Sequence, residues 1–221
     1  IRLGISSCLL GNNVRYDGGH KHDRYLTDIL GPFVEWVPVC PEYECGLPIP
    51  REAMRLVGDP EHPRLLTQKT KIDHTERMLS WSKNKCDQLE KEYLCGFVFK
   101  SKSPSSGMQG IKVYNEKGMP SKKGVGLFAK AFMERFPLTP VEDEGRLHDA
   151  VLKENFIERL FIMHRWNQFR LSSPTSKAFL EFHTKHKLLF MAHSLKLLSD
   201  LGKLAGNTKQ GAFDQLINDY F

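Results

Sequence analysis

The sequence predicts an α/β fold, with a mostly parallel sheet flanked by helices, followed by a segment that contains helices alone. Over the first two-thirds of the chain, short apolar runs alternate with longer polar or amphipathic stretches, an order typical of parallel sheets covered by helices. The turn-prone stretch PLTPVEDEGR at 137–146 ends this pattern, and no strand-like run follows it. We therefore predict an α/β domain at 1–143 and a helical domain at 144–221.

Five apolar runs are the candidate strands. Each is short, and most are rich in the β-branched and aromatic residues that favour strands. They are RLGIS at 2–6, FVEWVPV at 33–39, RLLTQ at 64–68, CGFVFK at 95–100 and KVY at 112–114. In a Rossmann-like sheet of this kind, ligands bind at the loops that follow the carboxyl ends of the strands.

Helical spacing of apolar residues predicts the remaining elements. In the first domain, helices are expected at 73–94 and 124–136. In the second domain, two long helical runs are expected at 147–169 and 176–205, with a short helix from about Ala212 to the end.

Composition and charge limit the class of protein. Hydrophobic residues make up 40% of the chain and charged residues 26%, as in ordinary globular proteins, and no apolar run approaches the length that spans a bilayer. The opening IRLGISSCLLG resembles a strand rather than a secretion signal, so we expect a cytoplasmic protein with no membrane partner. The net charge of +6 is compatible with nucleic-acid binding but does not establish it.

The five cysteines are widely spaced along the chain. They are Cys8, Cys40, Cys45, Cys86 and Cys95. An odd and scattered set argues against a disulfide framework and favours buried thiols or metal ligands. Cys86 and Cys95 fall within a predicted helix and a predicted strand, where we expect them to pack.

Three loops at predicted strand ends carry the side chains that are best suited to bind a metal or to take part in catalysis. They offer thiols, carboxylates, guanidinium groups and hydroxyls, and they contain Cys8, Arg15, Asp17 and Gly18; Cys40, Glu42, Cys45 and Arg51; and Ser103, Ser105 and Ser106. Because Cys8 and Cys40 form no short metal-binding spacing, two buried thiols at strand ends remain an equally good interpretation of the spacing alone.

Four motifs carry a family resemblance: SCLLGNNVRYDGGHK, VCPEYECGLPIPRE, FKSKSPSSG and KKGVGLFA. They resemble the TudS-like thiouracil desulfurase family. With FIERLFIMHRW and FHTKHKLLFMAHS, the chain is similar to the longer, RudS-like branch, in which a YbgA-like helical domain follows and 4-thiouridine in tRNA is desulfurated. That helical domain is longer in the family, so we expect an incomplete one here.

The resemblance implies a 4Fe-4S cluster with three protein ligands and one open iron, which binds the sulfur of tRNA or of free thiolated uracil or uridine. Cys8 and Cys40 are then two ligands, and Ser106 stands where the family has a cysteine. Glu42 is the implied acid/base and Ser103 the assisting hydroxyl, although Glu42 could instead form only an ion pair with an arginine. Five further loop residues are expected to contact the substrate: Arg15, Asp17, Gly18, Arg51 and Ser105.

Serine is a poor substitute for a thiolate because its hydroxyl is a harder and much less acidic donor. Three accounts of Ser106 stay open: an engineered substitution, a natural variant that ligates through oxygen, and replacement of the ligand by Cys45. The cluster is expected to be absent or labile if only two thiolates hold it. The alternative function is therefore an RNA-binding protein that has lost its catalytic cluster.

The long helical run of the second domain is rich in lysines. They are Lys177, Lys185, Lys187, Lys196 and Lys203, and the only acidic residues among them are Glu181 and Asp200. Such a face is usually only solvated, but phosphate contact is an equally good interpretation beside a family that acts on tRNA. We expect this domain to contribute RNA affinity rather than chemistry.

Overall fold

The computed structural model describes residues 1–172 and 175–206, so the helix predicted from Ala212 lies outside the described residues. Two compact units are distinguished, Ile1–His164 and the part that begins at Arg165. Within the described ranges, no helix combines the length and apolar character of a membrane span.

The described residues form eight strands and six α-helices. The strands are β1 (Arg2–Ser6), β2 (Glu35–Val39), β3 (Met54–Val57), β4 (Arg64–Thr67), β5 (Phe97–Phe99), β6 (Ile111–Tyr114), β7 (Pro120–Gly124) and β8 (Val141–Asp143). The helices are α1 (Pro41–Glu44), α2 (Thr75–Glu90), α3 (Leu127–Arg135), α4 (Ala150–Leu171), α5 (Ser176–His193) and α6 (Leu195–Gly206). A π-helical turn at Tyr25–Leu30 and 3₁₀ turns at Ser7–Leu10, Gly31–Phe33 and Arg146–His148 complete them.

The first sheet is purely parallel, with strand order β2-β1-β5-β8. Leu3 and Ile5 of its central strand are fully buried, as expected of a strand covered on both faces. This sheet, its flanking helices and the helical part that follows confirm the predicted fold class. Strand β8 was not predicted, because its sequence VED carries two acidic residues.

The second sheet has strand order β4-β3-β6-β7, with antiparallel pairs at both edges and one parallel pair in the middle. Strands β4 and β6 were predicted from the sequence, but a separate sheet was not. Its inner face supplies apolar side chains to a core that also includes Met78 and Leu127. Strand β7 reads PSKKG, which has no apolar alternation to reveal it.

Helices α2 and α3 connect the two sheets and bury aromatic side chains between them. Phe97 and Phe99 of β5 stack at 4.3 Å between ring centroids, and Phe128 and Phe132 of α3 pack against both. Cys86 is buried in the same cluster. Both helices confirm the sequence prediction, with ends a few residues inside the predicted ranges.

The residues just after β8 remain part of the first unit. Leu147, Phe156 and Leu160 join the core formed by β1 and the turn after it. The first unit continues to His164, about twenty residues beyond the predicted change of composition. The division into domains at 1–143 and 144–221 stays a prediction.

The second unit is helical in its described residues. Helix α5 begins after Thr175, whose hydroxyl accepts a hydrogen bond from the N–H of Ala178 at 3.2 Å. The single run predicted at 176–205 is interrupted at Ser194, which has extended backbone angles of −166° and 120°. No strand occurs at 150–172 or 175–206, as predicted.

Candidate active site

A cavity of about 320 Å³ lies where three strands of the parallel sheet end. Its walls come mainly from the segments that follow β1, β2 and β5, namely 6–8, 39–42 and 100–106. Residues 14–16 and Arg51 complete the lining. Because parallel strands bring their carboxyl ends to one edge, residues distant in sequence converge there. The three loops singled out in the sequence therefore meet at one cavity.

Cys8 lies in the 3₁₀ turn that follows β1. The turn ends at Gly11, whose φ of 90° is in the left-handed region that glycine adopts without strain. The carbonyl oxygen of Cys8 accepts hydrogen bonds from the N–H groups of Gly11, at 3.3 Å, and Lys21, at 2.9 Å. Burial raises the pKa of the Cys8 thiol to about 11, and the Lys100 ammonium acts in the opposite direction. The thiol is thus held at the cavity by a fixed backbone.

Cys40 is the residue at the N-terminal cap of α1, directly after β2. Its N–H donates to a carboxylate oxygen of Glu44 at 2.7 Å, and its Sγ lies 3.7 Å from the carbonyl oxygen of Val14. Burial raises the pKa of this thiol as well. Cys45 follows the same short helix, but its Sγ donates to the carbonyl oxygen of Glu42 at 3.3 Å. Cys45 does not line the cavity and packs against the core of the second sheet instead.

The SPSSG loop at 103–107 is held by backbone hydrogen bonds at the start of α3. The N–H of Phe128 donates to the carbonyl oxygen of Ser105 at 2.9 Å, and the N–H of Gly126 donates to that of Gly107 at 2.7 Å. A Cβ atom at Gly126 would lie 2.6 Å from the backbone of Ser105, so a larger residue would displace the loop. The motif KKGVGLFA thus fixes this loop at the cavity.

Within the loop, the Ser103 hydroxyl organises the backbone. It accepts a hydrogen bond from the N–H of Ser106 at 3.1 Å, and the carbonyl oxygen of Ser103 accepts one from the N–H of Gly107 at 2.9 Å. Ser105 and Ser106 are buried, with 1% and 4% exposure. A hydroxyl at this depth needs a partner.

Glu42 is that partner for Ser105, and it links all three loops. One carboxylate oxygen accepts from the Ser105 hydroxyl at 2.9 Å, and the other accepts from two Arg51 nitrogens at 2.9 and 2.6 Å. Arg51 also donates to the carbonyl oxygen of Val14 at 2.9 Å. The Ser103 and Ser105 hydroxyl oxygens lie 3.0 Å apart. Since the one proton of Ser105 is directed at Glu42, Ser103 donates to Ser105.

Comparison with known proteins identifies the family of this chain. The family model of 2-thiouracil desulfurase matches residues 3–144, which include all three loops. The chain belongs to the 2-thiouracil desulfurase family. A solved structure described as a 4Fe-4S-dependent thiouracil desulfidase, TudS, is similar to it, with a TM-score of 0.54 and 26% identity over 70% of this chain and 97% of that chain. No curated protein matches significantly. The chain is therefore a desulfurase, as its motifs predict.

Most of the residues predicted for the desulfurase site line the cavity. They are Cys8, Arg15, Cys40, Glu42, Arg51, Ser103, Ser105 and Ser106. Asp17 and Gly18 do not line it. Asp17 accepts hydrogen bonds from Arg15 at 3.3 and 3.2 Å, and hydrogen bonding to the Arg15 side chain and to the N–H of Gly19 lowers the pKa of Asp17. Asp17 and Gly18 thus shape the turn that presents Arg15, and the chemical roles of all ten residues stay predictions.

Sequence reasoning missed an ion pair beside the cavity, between Lys100 and Glu144. The Lys100 ammonium lines the cavity and contacts the Glu144 carboxylate, which also accepts from the N–H and the hydroxyl of Ser101 at 2.7 and 2.8 Å. Burial opposes ionisation of Glu144, but the hydrogen bonds from Lys100 and Ser101 outweigh it and lower the pKa. Lys100 directly follows β5, a position that could have revealed it. Glu144 follows β8, the strand that the sequence did not reveal.

The desulfurase site presents two thiols and one hydroxyl as candidate metal ligands. In the part of the chain that the structure describes, no three His, Cys, Asp or Glu side chains form a cluster that could hold a metal ion. Cys8 and Cys40 line the same cavity as Ser106. The donor set at this position is therefore one thiolate short of a three-cysteine site.

Proposed function

We propose that this desulfurase replaces the thiocarbonyl sulfur of thiolated uracil by oxygen without net electron transfer, and that its substrate is 4-thiouridine in tRNA, giving uridine and sulfide. The observation that carries the proposal is the meeting of Cys8, Cys40, Glu42 and Ser103 at one cavity. Thiols suit soft metals, while a carboxylate and a hydroxyl suit proton transfer. The tRNA substrate is supported by the motifs of the helical part and by the net charge of +6.

Three residues that line the cavity are available to hold a 4Fe-4S cluster, but they suit it only partly in chemistry. Cys8 and Cys40 are the thiolate donors that such a cluster requires, and Ser106 stands at the third place. Cys45 lies outside the cavity, which disfavours it as the replacement ligand. When bound, the cluster would supply an open iron that takes the substrate sulfur and makes the attached carbon more electrophilic. Ser106 would hold it less firmly than a cysteine.

Glu42 is the residue that handles the protons. The reaction adds water across the thiocarbonyl carbon and releases hydrogen sulfide, so the atoms balance and no electrons are exchanged. As the water oxygen attacks, one of its two protons passes to the carboxylate and from there to the departing sulfur. The second proton leaves the oxygen as the carbonyl forms and follows the same route, so both reach the sulfur. Two charge-assisted hydrogen bonds from Arg51 orient that carboxylate, so the ion pair and the catalytic role belong to the same group.

Ser103 and Ser105 connect the cavity to this carboxylate. The Ser103 hydroxyl donates to Ser105, and Ser105 donates to Glu42 at 2.9 Å. A proton from a water molecule beside Ser103 can therefore reach Glu42 through two hydroxyls without either serine changing its position. Ser105 is 1% exposed, so we assign it to this relay rather than to direct substrate contact.

A second candidate function rests on Ser106 alone. With a hydroxyl at the third ligand position, the chain would bind thiolated RNA without a stable cluster and would not turn it over. The two candidates differ in metal content and in turnover.

The test is anaerobic cluster reconstitution of the chain and of Ser106→Cys, followed by incubation with 2-thiouracil and with tRNA that contains 4-thiouridine. We expect several-fold more iron to remain on Ser106→Cys after desalting, and sulfide release matched by an equal amount of the oxygen product. Ser106→Ala is the matched control and should retain no more iron than the parent chain. If neither the parent nor Ser106→Cys releases sulfide while both bind tRNA, the RNA-binding candidate is correct.

A further inference from the structure

The hairpin of β6 and β7 carries an exposed cluster of like charges. Its pairing is irregular, because Ile111 pairs with Gly124 and Val113 pairs with Ser121. Lys122 and Lys123, the two residues between Ser121 and Gly124, therefore both lie opposite Lys112. All three lysines are exposed, and none forms an ion pair with any described residue. Like charges placed opposite each other across strands are destabilising, so this arrangement has a cost for folding that no carboxylate offsets.

A fourth cation lies on the same face. The parallel register pairs Leu56 with Val113 and Val57 with Tyr114, which brings Arg55 beside Lys112. The Arg55 guanidinium lies 4.8 Å from the centroid of the Tyr114 ring, and its buried Nε has no hydrogen-bond partner among the described residues. Arg55 is thus held by an aromatic ring rather than by an acid.

The lysine cluster stands at the end of the hairpin that adjoins the SPSSG loop. A Cβ atom at Gly107 of that loop would lie 2.1 Å from the Ile111 side chain, so the loop and the first residue of β6 are in close contact. After β7, the N–H of Gly126 donates to the carbonyl oxygen of Gly107. Lys112 directly follows Ile111, and Lys123 lies three residues before Gly126, so both lysines are close in sequence to this junction, whereas the hairpin turn lies away from it.

We propose that this face, made of Arg55, Lys112, Lys122 and Lys123, binds the phosphodiester backbone of RNA close to the nucleotide that enters the cavity. The inference rests on the proposed function, since it names where the RNA substrate is held. Charge complementarity favours a polyanion, because residues 111–124 contain four lysines and a single acidic residue, Glu116. An Arg–Tyr pair adds a flat surface on which an unstacked base can lie.

The experiment compares Lys112→Gln/Lys122→Gln with Lys83→Gln/Lys91→Gln, which removes the same charge from exposed positions on and after α2. Binding of an unmodified tRNA transcript is followed by fluorescence anisotropy at several salt concentrations. We expect the hairpin variant to lose roughly ten-fold in affinity and its salt slope to fall by about two, as two lost phosphate contacts require. The control variant should stay within about two-fold of the parent.

Equal tRNA affinity for the hairpin variant and the parent would overturn the inference, as would a parent that binds no tRNA at low salt. Poly-L-glutamate is titrated in parallel, and equally tight binding of it at this face would point to an acidic protein partner and overturn RNA as the occupant. Turnover of free 2-thiouracil is measured separately on reconstituted Ser106→Cys. Its absence would contradict the proposed chemistry and leave the binding result interpretable, and thermal unfolding checks that both variants fold.

Discussion

The two sheets of the first unit use charged side chains in opposite ways. At the edge of the parallel sheet, cations and acids are paired and largely buried, as in Arg51 with Glu42 and Lys100 with Glu144. On the outer face of the mixed sheet, Lys112, Lys122 and Lys123 are exposed and form no ion pair with any described residue. Paired charges hold fixed positions, which chemistry requires, whereas unpaired ones are available to an external anion. The proposed places for reaction and for RNA binding therefore differ in how their charges are held, although both lie within the first unit.

Glu42 gives the most direct test of whether the paired charges at the parallel sheet serve the reaction. In reconstituted Ser106→Cys, we expect the further change Glu42→Gln to lower kcat for 2-thiouracil by about a hundred-fold or more, since a positioned acid/base contributes on that order. Iron content should not change, because the glutamine amide can still accept from Arg51 or Ser105. Glu44→Gln is the matched control in the same helix. Turnover that survives Glu42→Gln would show that this carboxylate is only structural.

The second prediction concerns the hydrogen-bonded relay from Ser103 through Ser105 to Glu42, which depends on a single hydroxyl. Ser105→Ala in the same background should lower kcat roughly ten-fold, the loss of one hydrogen bond to a charged group, with little change in KM. Ser105→Thr restores the hydroxyl and should recover most of the rate. A rise in KM without a fall in kcat would instead assign Ser105 to substrate binding, as the sequence analysis expected.

The smallest expected effect concerns Glu144. Its ion pair with Lys100 is tested through the free energy of unfolding and not through turnover. Its pKa is lowered in the folded protein, so its contribution is present above the unfolded pKa and is lost as the pH falls through the folded pKa. We expect Glu144→Gln to lower the free energy of unfolding at pH 7 by about 1–3 kcal/mol. The difference from the parent should shrink below a pH of about 4.5.

Urea unfolding at pH 7 and at acid pH measures this difference. Glu35→Gln is the control, because Glu35 pairs with Arg2 at the surface, where ion pairs contribute little. A Glu144→Gln variant as stable as the parent at pH 7 would mean that the buried pair merely balances its own desolvation.

Most elements that an apolar pattern marks were predicted from the sequence, but strand β3 was not, although its MRLV has alternate residues buried. Strands β1, β2, β4, β5 and β6 and helices α2 and α3 were predicted, and so was the convergence of the three loops. Strand β8 was missed because Glu142 and Asp143 are buried by pairing rather than by apolar character: Arg146 donates to both oxygens of Glu142 at 2.6 and 3.1 Å. The identity of a strand's partners depends on contacts distant in sequence, so the second sheet could not be foreseen.

Site residues that lie within sequence motifs could be predicted, whereas contacts between residues distant in sequence could not. Cys8, Cys40 and Glu42 were named from their motifs, and they line one cavity. The pair of Lys100 and Glu144 joins residues 44 positions apart, and no local pattern announces it. Asp17 was expected to contact the substrate; it does not line the cavity and is hydrogen-bonded to Arg15, which does.

The manner in which α3 holds the SPSSG loop has a consequence for how such a protein can change over generations. The bonds from Gly126 and Phe128 join backbone to backbone, so the path of the loop does not depend on which small side chain stands at 106. Cysteine and serine can therefore replace each other there with little effect on folding. A single nucleotide change suffices to pass between them. If residue 106 holds the cluster as proposed, a lineage can lose or regain its metal chemistry while the scaffold around it is inherited intact.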